Sequence, residues 1–287
     1  MKNILLGHGS GGKLSDDLIK DVFVSRLGNS TLSQLNDSAI INTSKEIAFT
    51  TDSFVVDPIF FSGGDIGKLA VCGTVNDLAV AGATPKFLSL SVILEEGFAI
   101  EDLEKVVDSI SQSAREANVH IVTGDTKVVN RGKCDKIFIN TAGIGEFESN
   151  YKSQISNIDV GDSILMNGDI ADHGLTVMLE RNEMDFSGDI SSDCVPLNGL
   201  INDLISSGLK IKFMRDATRG GIATVLSEIA EHSQHSIRLN EKDIPVKESV
   251  RGMCEFLGFD PMYVANEGKV IIVVNKEDSQ RAIEIMK

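Results

Sequence analysis

Apolar positions along the chain follow two periods. In residues 101–117, Leu103, Val106, Val107, Ile110 and Ala114 recur at three- and four-residue spacing, which predicts an amphipathic helix. From Asp65 to Ala81 the same period carries Leu69, Cys72, Val75 and Ala79, and Pro85 follows its end. Ser15 is placed to cap a helix running to about Leu27, with Asp16 and Asp17 in its first turn. Short apolar runs at 47–50, 87–94, 119–123 and 136–144 predict strands. Composition shifts between Gly145 and Ser156, and we set a domain boundary there. Beyond it the pattern gives a strand at 163–167, helices at 174–181, 197–207, 220–232 and 247–257, and a strand at 270–274. This alternation predicts two α/β-type domains, 1–150 and 151–287. Residues 1–13 are expected to form a mobile arm, because their glycines cost the most entropy to order.

The 287 residues, 42% hydrophobic, suffice for two cores. Lys and Arg number 27 against 42 Asp and Glu, a formal net charge of −15, which argues against nucleic acid as a partner. No apolar run reaches membrane-spanning length, and the N-terminus runs straight into glycines instead of forming a leader. Cys72, Cys134, Cys194 and Cys254 are scattered, so neither a disulfide framework nor a zinc site is expected, and the cytoplasm is the natural compartment. Cys72 and Cys254 fall on apolar helix faces and read as core residues.

Five polar motifs have no periodic reason to exist. Gly7 to Lys13, with Gly9, Gly11 and Gly12, offers backbone N–H groups but is not a P-loop, since Leu14 follows the lysine. It is either a loose terminus or a lid over phosphates. Thr51 and Asp52 follow the first predicted strand, in a turn or in a site. Asn76 and Asp77 lie inside a small, apolar helix, where a buried carboxylate needs a partner or a cation. Gly124, Asp125 and Lys127 follow another strand, as a surface pair or a catalytic one. Asp216, Arg219, Gly220 and Gly221 open a helix, where free N–H groups meet the positive end of its dipole. Glu267 precedes the last strand as a turn residue or an acid/base group. Carboxylates at element ends beside glycine-rich turns are what a metal-bound polyphosphate needs, so the chain reads as an ATP-using enzyme requiring Mg²⁺.

These motifs, with Asn36-Asp37, Gly63 to Ala70, Ser192 to Asn198 and Tyr263 to Lys269, resemble the ATP-binding superfamily of aminoimidazole ribonucleotide synthetase, selenophosphate synthetase and thiamine-monophosphate kinase. Within it the longer strings are similar to the HypE family of hydrogenase maturation carbamoyl dehydratases. The resemblance implies an α/β N-terminal domain whose sheet pairs with a second protomer, and an α+β C-terminal domain. It implies ATP and Mg²⁺, with Asp37, Asp52, Asp77 and Asp125 as metal ligands and Lys127 and Glu267 as catalytic groups. It implies ATP-dependent dehydration of a cysteine-bound thiocarboxamide to a thiocyanate, the cyanide source for nickel–iron hydrogenase. The implied partners are a carbamoyltransferase and an iron-scaffold maturation protein. That family carries its substrate on a C-terminal cysteine. The sequence here stops at Lys287 without one, so this form is expected to bind ATP without cyanating itself. Two other readings are a sibling small-molecule kinase or synthetase, and a nucleotide-binding scaffold.

Overall fold

A computed structural model describes residues 3–9, 13–34, 43–184 and 189–287. Gly11, Gly12 and Asp37 lie outside the described residues.

The first half is built on a four-stranded sheet. Its strands are β1 (Ile47–Phe54), β4 (Thr84–Glu95), β5 (His120–Val129) and β6 (Ile137–Glu146), in the order β1-β6-β4-β5. Only β4 and β5 are parallel; β6 runs antiparallel to both β1 and β4. A small hairpin, β2 (Phe60–Phe61) and β3 (Gly64–Asp65), leads into α3 (Ile66–Val80). The Asp65 carboxylate caps α3 by accepting from the N–H groups of Gly67 and Lys68. The amphipathic stripe forms α4 (Ile100–Glu116), with Leu103, Val106, Val107 and Ile110 fully buried. Before the sheet, α1 (Lys13–Leu18), a π-helical stretch (Ile19–Val24) and α2 (Ser25–Leu27) run on from one another.

Two expectations are corrected here. The N-terminus is not loose throughout. The Ile4 amide donates to the Phe98 carbonyl at 2.7 Å, Gly97 donates back to Ile4, and the Ile4 side chain is fully buried in the first core. Gly9 ends a 3₁₀ turn, Leu6–Gly9. Helix α3, in turn, has no single apolar face: it is buried nearly all round. Such a helix lies between two layers. One side packs on β1 and β6, while Ala79 and Val80 join a core formed by the second half of the chain.

That second half is centred on a three-stranded antiparallel sheet, β7 (Ser163–Met166), β9 (Val270–Val274) and β8 (Ile211–Asp216), with β9 central. All five β9 residues are buried because both faces are covered. Ile271 and Val273 pack with α5 (Asp172–Arg181), α7 (Gly221–Ser233) and α8 (Glu248–Leu257). Val270, Ile272 and Val274 pack with α6 (Asn198–Ser206) and α9 (Ser279–Met286). An α/β half joined to an α+β half is therefore the architecture. Strand β8 escapes the sequence pattern because Lys212 and Arg215 interrupt its apolar positions. Asp216 accordingly ends a strand and does not open a helix; Gly220, in left-handed conformation, is the residue that caps α7.

Candidate active site

A cleft of about 780 Å³ opens between the halves. Its wall from the first half is β1 and α3, contributing Thr51, Asp52, Phe54, Leu69 and Asp77. The opposing wall is the end of β8, the start of α7 and the segment before β9, contributing Arg215, Asp216, Thr218, Arg219 and Glu267. The N-terminus of α5 closes one side with His173 and Gly174. Thr51, Asp52, Asp77, Asp216, Arg219 and Glu267 thus meet in one cavity, although Asp52 lies within β1 and not in a turn after it.

The carboxylates feel one another. Burial raises the proton affinity of Asp77, and the charge of Asp52 adds to it, against a 2.9 Å hydrogen bond from the Thr50 hydroxyl. Burial, and then the charge of Asp77, push Asp216 up to about 6. Glu267 is held well above the usual carboxylate range by burial, and further by Asp216, Asp193 and Asp52. Mutual repulsion among hard oxygen donors is what a divalent cation relieves, so the donor chemistry fits Mg²⁺. Among the described residues, no three such side chains form a closed metal cage. A site that leaves coordination places to water and phosphate has no need of one. Positive potential comes from Arg215, Arg219 and Arg181 and from the first turn of α7. There Gly220 and Gly221 both have positive φ (75° and 60°), and a side chain on Gly221 would strike the Met262 carbonyl.

Three predicted site groups stand elsewhere. Asn76 is buried, and its amide is spent on the second half. Its Oδ1 accepts from Leu197 N at 2.7 Å, and its Nδ2 donates to the carbonyls of Val195 (3.2 Å) and Glu267 (3.3 Å). It is a clamp between the halves, not a group facing the cleft. Asn76→Ala leaves the buried Leu197 N–H and two partly buried carbonyls, of Val195 and Glu267, short of a partner, so a loss of about 1–3 kcal/mol is expected in denaturant unfolding. Asp125 and Lys127 lie within β5, at the far sheet edge from β1, as an exposed ion pair of 2.8 Å that lowers the Asp125 proton affinity. Gly124 serves the sheet: a Cβ there would strike the Leu90 carbonyl of β4.

Sequence reading missed a buried ion pair, Asp193 with Lys269 at 3.0 Å, and His173, whose Nδ1 lies 2.8 Å from the Ser192 hydroxyl. Cys72 and Cys194 are both buried. The Cys194 thiol is pushed well up by its contact with Cys72 and by burial, which fits core residues and not nucleophiles.

The AIR synthase related protein N-terminal domain matches residues 35–147 of this chain, and the corresponding C-terminal domain matches 159–287. Carbamoyl dehydratase HypE of Rhizobium leguminosarum bv. viciae is 47% identical over 280 residues, covering 97% of this chain and 80% of the relative. The chain belongs to the HypE family. A crystal structure of the hydrogenase maturation protein HypE in complex with ATP superposes with a TM-score of 0.96 at 48% identity, covering 98% of this chain and 84% of that one. A HypE–HypF complex gives 0.82 at 50% identity, covering 94% and 88%. Membership in the HypE family agrees with the resemblance read from the motifs. No helix among the described residues is long and apolar enough to cross a membrane.

Proposed function

We propose that this chain dehydrates a cysteine-bound thiocarboxamide to a thiocyanate at the expense of ATP, supplying cyanide for hydrogenase maturation. The carrying observation is a single cleft where Asp52, Asp77, Asp216 and Glu267 face Arg215, Arg219 and the start of α7. A primary amide oxygen is a poor leaving group. Its attack on the γ-phosphorus of ATP expels ADP and makes the oxygen a phosphate ester. Loss of both N–H protons then drives the phosphate out as the C≡N bond forms. One ATP and one thiocarboxamide give ADP, phosphate and a thiocyanate. The arginines and the α7 N–H groups hold phosphate charge. Mg²⁺, when bound, would neutralise the phosphates and be held by Asp52 and Asp77, with Asp37 and Asp125 as further proposed ligands. Glu267, whose proton affinity is raised by burial and by the neighbouring carboxylates, takes an amide proton. Gly9, Gly11 and Gly12 are assigned to covering the nucleotide, and residues 1–150 and 151–287 act as the two domains.

Lys127 reaches this chemistry only through a homodimer. The sheet face away from α3 carries Ile47, Phe49 and Ile93, all exposed, and Phe49 is 66% exposed. Phe49 pairs in register with Ile144, and Ile93 pairs with Phe138 and Lys127. A two-fold axis along the strands would cover this apolar face and lay β5 of one protomer, with Asp125 and Lys127, over β1 of the other. Phe49→Asp should yield a monomeric mass by light scattering with an unchanged circular dichroism spectrum, and should lose turnover.

A HypE relative has been crystallised with HypF. We take a carbamoyltransferase as the donor partner and an iron-scaffold maturation protein as the acceptor. Incubation with ATP, Mg²⁺ and a peptide bearing an S-carbamoyl cysteine should release one phosphate for each water lost from the peptide's intact mass. Phosphorylation of a small acceptor, with no water lost from the peptide, would favour the sibling kinase reading. Asp77→Asn should weaken Mg·ATP binding at least tenfold, about 1.4 kcal/mol, in calorimetry, whereas Asp135→Asn, outside the cleft, should not.

A further inference from the structure

Glu267 has no regular element beneath it. It lies in the segment between the 3₁₀ turn Pro261–Tyr263 and β9. Its N–H is held by a side chain from a distant part of the sequence. The Asp193 carboxylate accepts from the Glu267 N–H through Oδ1 (3.0 Å) and from the Gly268 N–H through Oδ2 (3.2 Å). The same Oδ2 meets Lys269 Nζ at 3.0 Å. Both side chains of this ion pair are buried, with Asp193 4% and Lys269 10% exposed. Three consecutive residues, 267, 268 and 269, are therefore gathered on one carboxylate. Gly268 belongs to the arrangement, because a Cβ there would run into the Asp193 carbonyl oxygen.

A buried ion pair is weak evidence for stability, since desolvation offsets most of its attraction. Its geometric consequence is clearer. Two charge-assisted hydrogen bonds from consecutive amides fix the peptide plane from which the Glu267 side chain departs. From the other side, Asn76 on α3 donates to the Glu267 carbonyl. The residue is thus held at both its N–H and its C=O, by two different halves of the chain. We propose that Asp193, charge-balanced by Lys269, is a positioning residue that sets the Glu267 carboxyl against the reacting amide. The inference rests on the assignment of Glu267 as proton acceptor given above.

The test compares Asp193→Asn, Glu267→Gln and the double variant in the full chain. Dehydration of an S-carbamoyl cysteine peptide is followed by intact mass, and Mg·ATP affinity by calorimetry. The asparagine keeps one acceptor oxygen but turns an NH₂ group towards the Gly268 N–H and the Lys269 ammonium, so the segment must shift. A misplacement of about 1 Å lowers kcat roughly 100-fold. The expected result is that loss, with ATP affinity unchanged, and no further loss when Asp193→Asn is added to Glu267→Gln. If Asp193→Asn fails to fold, Gly268→Ala carries the same test, since its methyl group forces the segments apart without removing a charge. Full kcat in a folded Asp193→Asn or Gly268→Ala variant, or ATP affinity falling in step with kcat, overturns the inference while leaving the Glu267 assignment intact. Full kcat in Glu267→Gln overturns that assignment itself, whatever Asp193 does.

Discussion

Glu267→Gln is expected to lower the dehydration rate by roughly 100- to 10,000-fold, the usual contribution of a positioned acid/base group. Glutamine keeps the volume and one acceptor oxygen, so the Asp193 and Asn76 bonds to the backbone survive. What is lost is a group able to take a proton. The surroundings of Glu267 favour that role. Burial holds its proton affinity well above that of an ordinary glutamate, with Asp216, Asp193 and Asp52 adding to it. A carboxyl of raised proton affinity accepts a proton from a weak acid better than one of ordinary affinity. Proton transfer belongs to the chemical step and phosphate binding precedes it, so the loss should fall on kcat, with Mg·ATP affinity kept. Rapid-quench measurement of water loss, beside calorimetry with ATP, checks both halves. Loss of ATP affinity with dehydration unimpaired at saturating nucleotide would move Glu267 from the proton-transfer role to the metal shell.

The legibility of this protein follows the range of its interactions. Helix α4 is plain in the sequence because each buried residue is fixed by neighbours three and four positions away. Strand β9 is plain because both of its faces are covered, so apolar residues run without a break. Strand β8 is not, because its edge position exposes Arg215 and lets Lys212 pair with Asp159. Within the cleft, Asp77 stood out as a carboxylate inside an apolar helix, whereas Asp52, Asp216 and Glu267 each had a local reading as turn or helix-end residues and pointed to a site only jointly. Asn76 stood out equally, but its partners Leu197 and Glu267 are far along the chain, and only the packing of α3 against the second half reveals it as a clamp. Asp193 and Lys269 both lie in strings that carry the family resemblance, but their pairing left no signal, because the partners are far apart along the chain. Asp125 and Lys127 were read as following a strand, because the charged residues of β5 hide its continuation to Val129.

Asp216→Asn should stabilise the nucleotide-free protein above pH 6, at the expense of nucleotide binding. The sign follows from the two proton affinities. Asp216 titrates at about 6 in the folded chain against 3.8 for an ordinary aspartate. The folded state therefore holds its proton more tightly than the unfolded state does. Below about pH 4 the group is protonated in both states and costs nothing. As pH rises from about 4 to about 6 the unfolded chain gives up the proton first, and folding becomes less favourable. Above pH 6 the full cost is present, on the order of 3 kcal/mol for a shift of this size. Asparagine is neutral throughout and escapes it. The causes are burial and the neighbouring charge of Asp77, both consequences of gathering carboxylates in one cleft. A stability gain that grows between pH 4 and 6, then levels off, is the expected outcome of urea titrations across that range. Saturating Mg²⁺ and ATP should shrink or reverse the gain, because the wild-type cleft is then neutralised by its ligands and stabilised by binding them. A gain independent of pH would mean that packing, and not charge, limits the stability of this wall. A loss at every pH would mean that the Asp216 carboxylate is already balanced by Arg215 in the free protein.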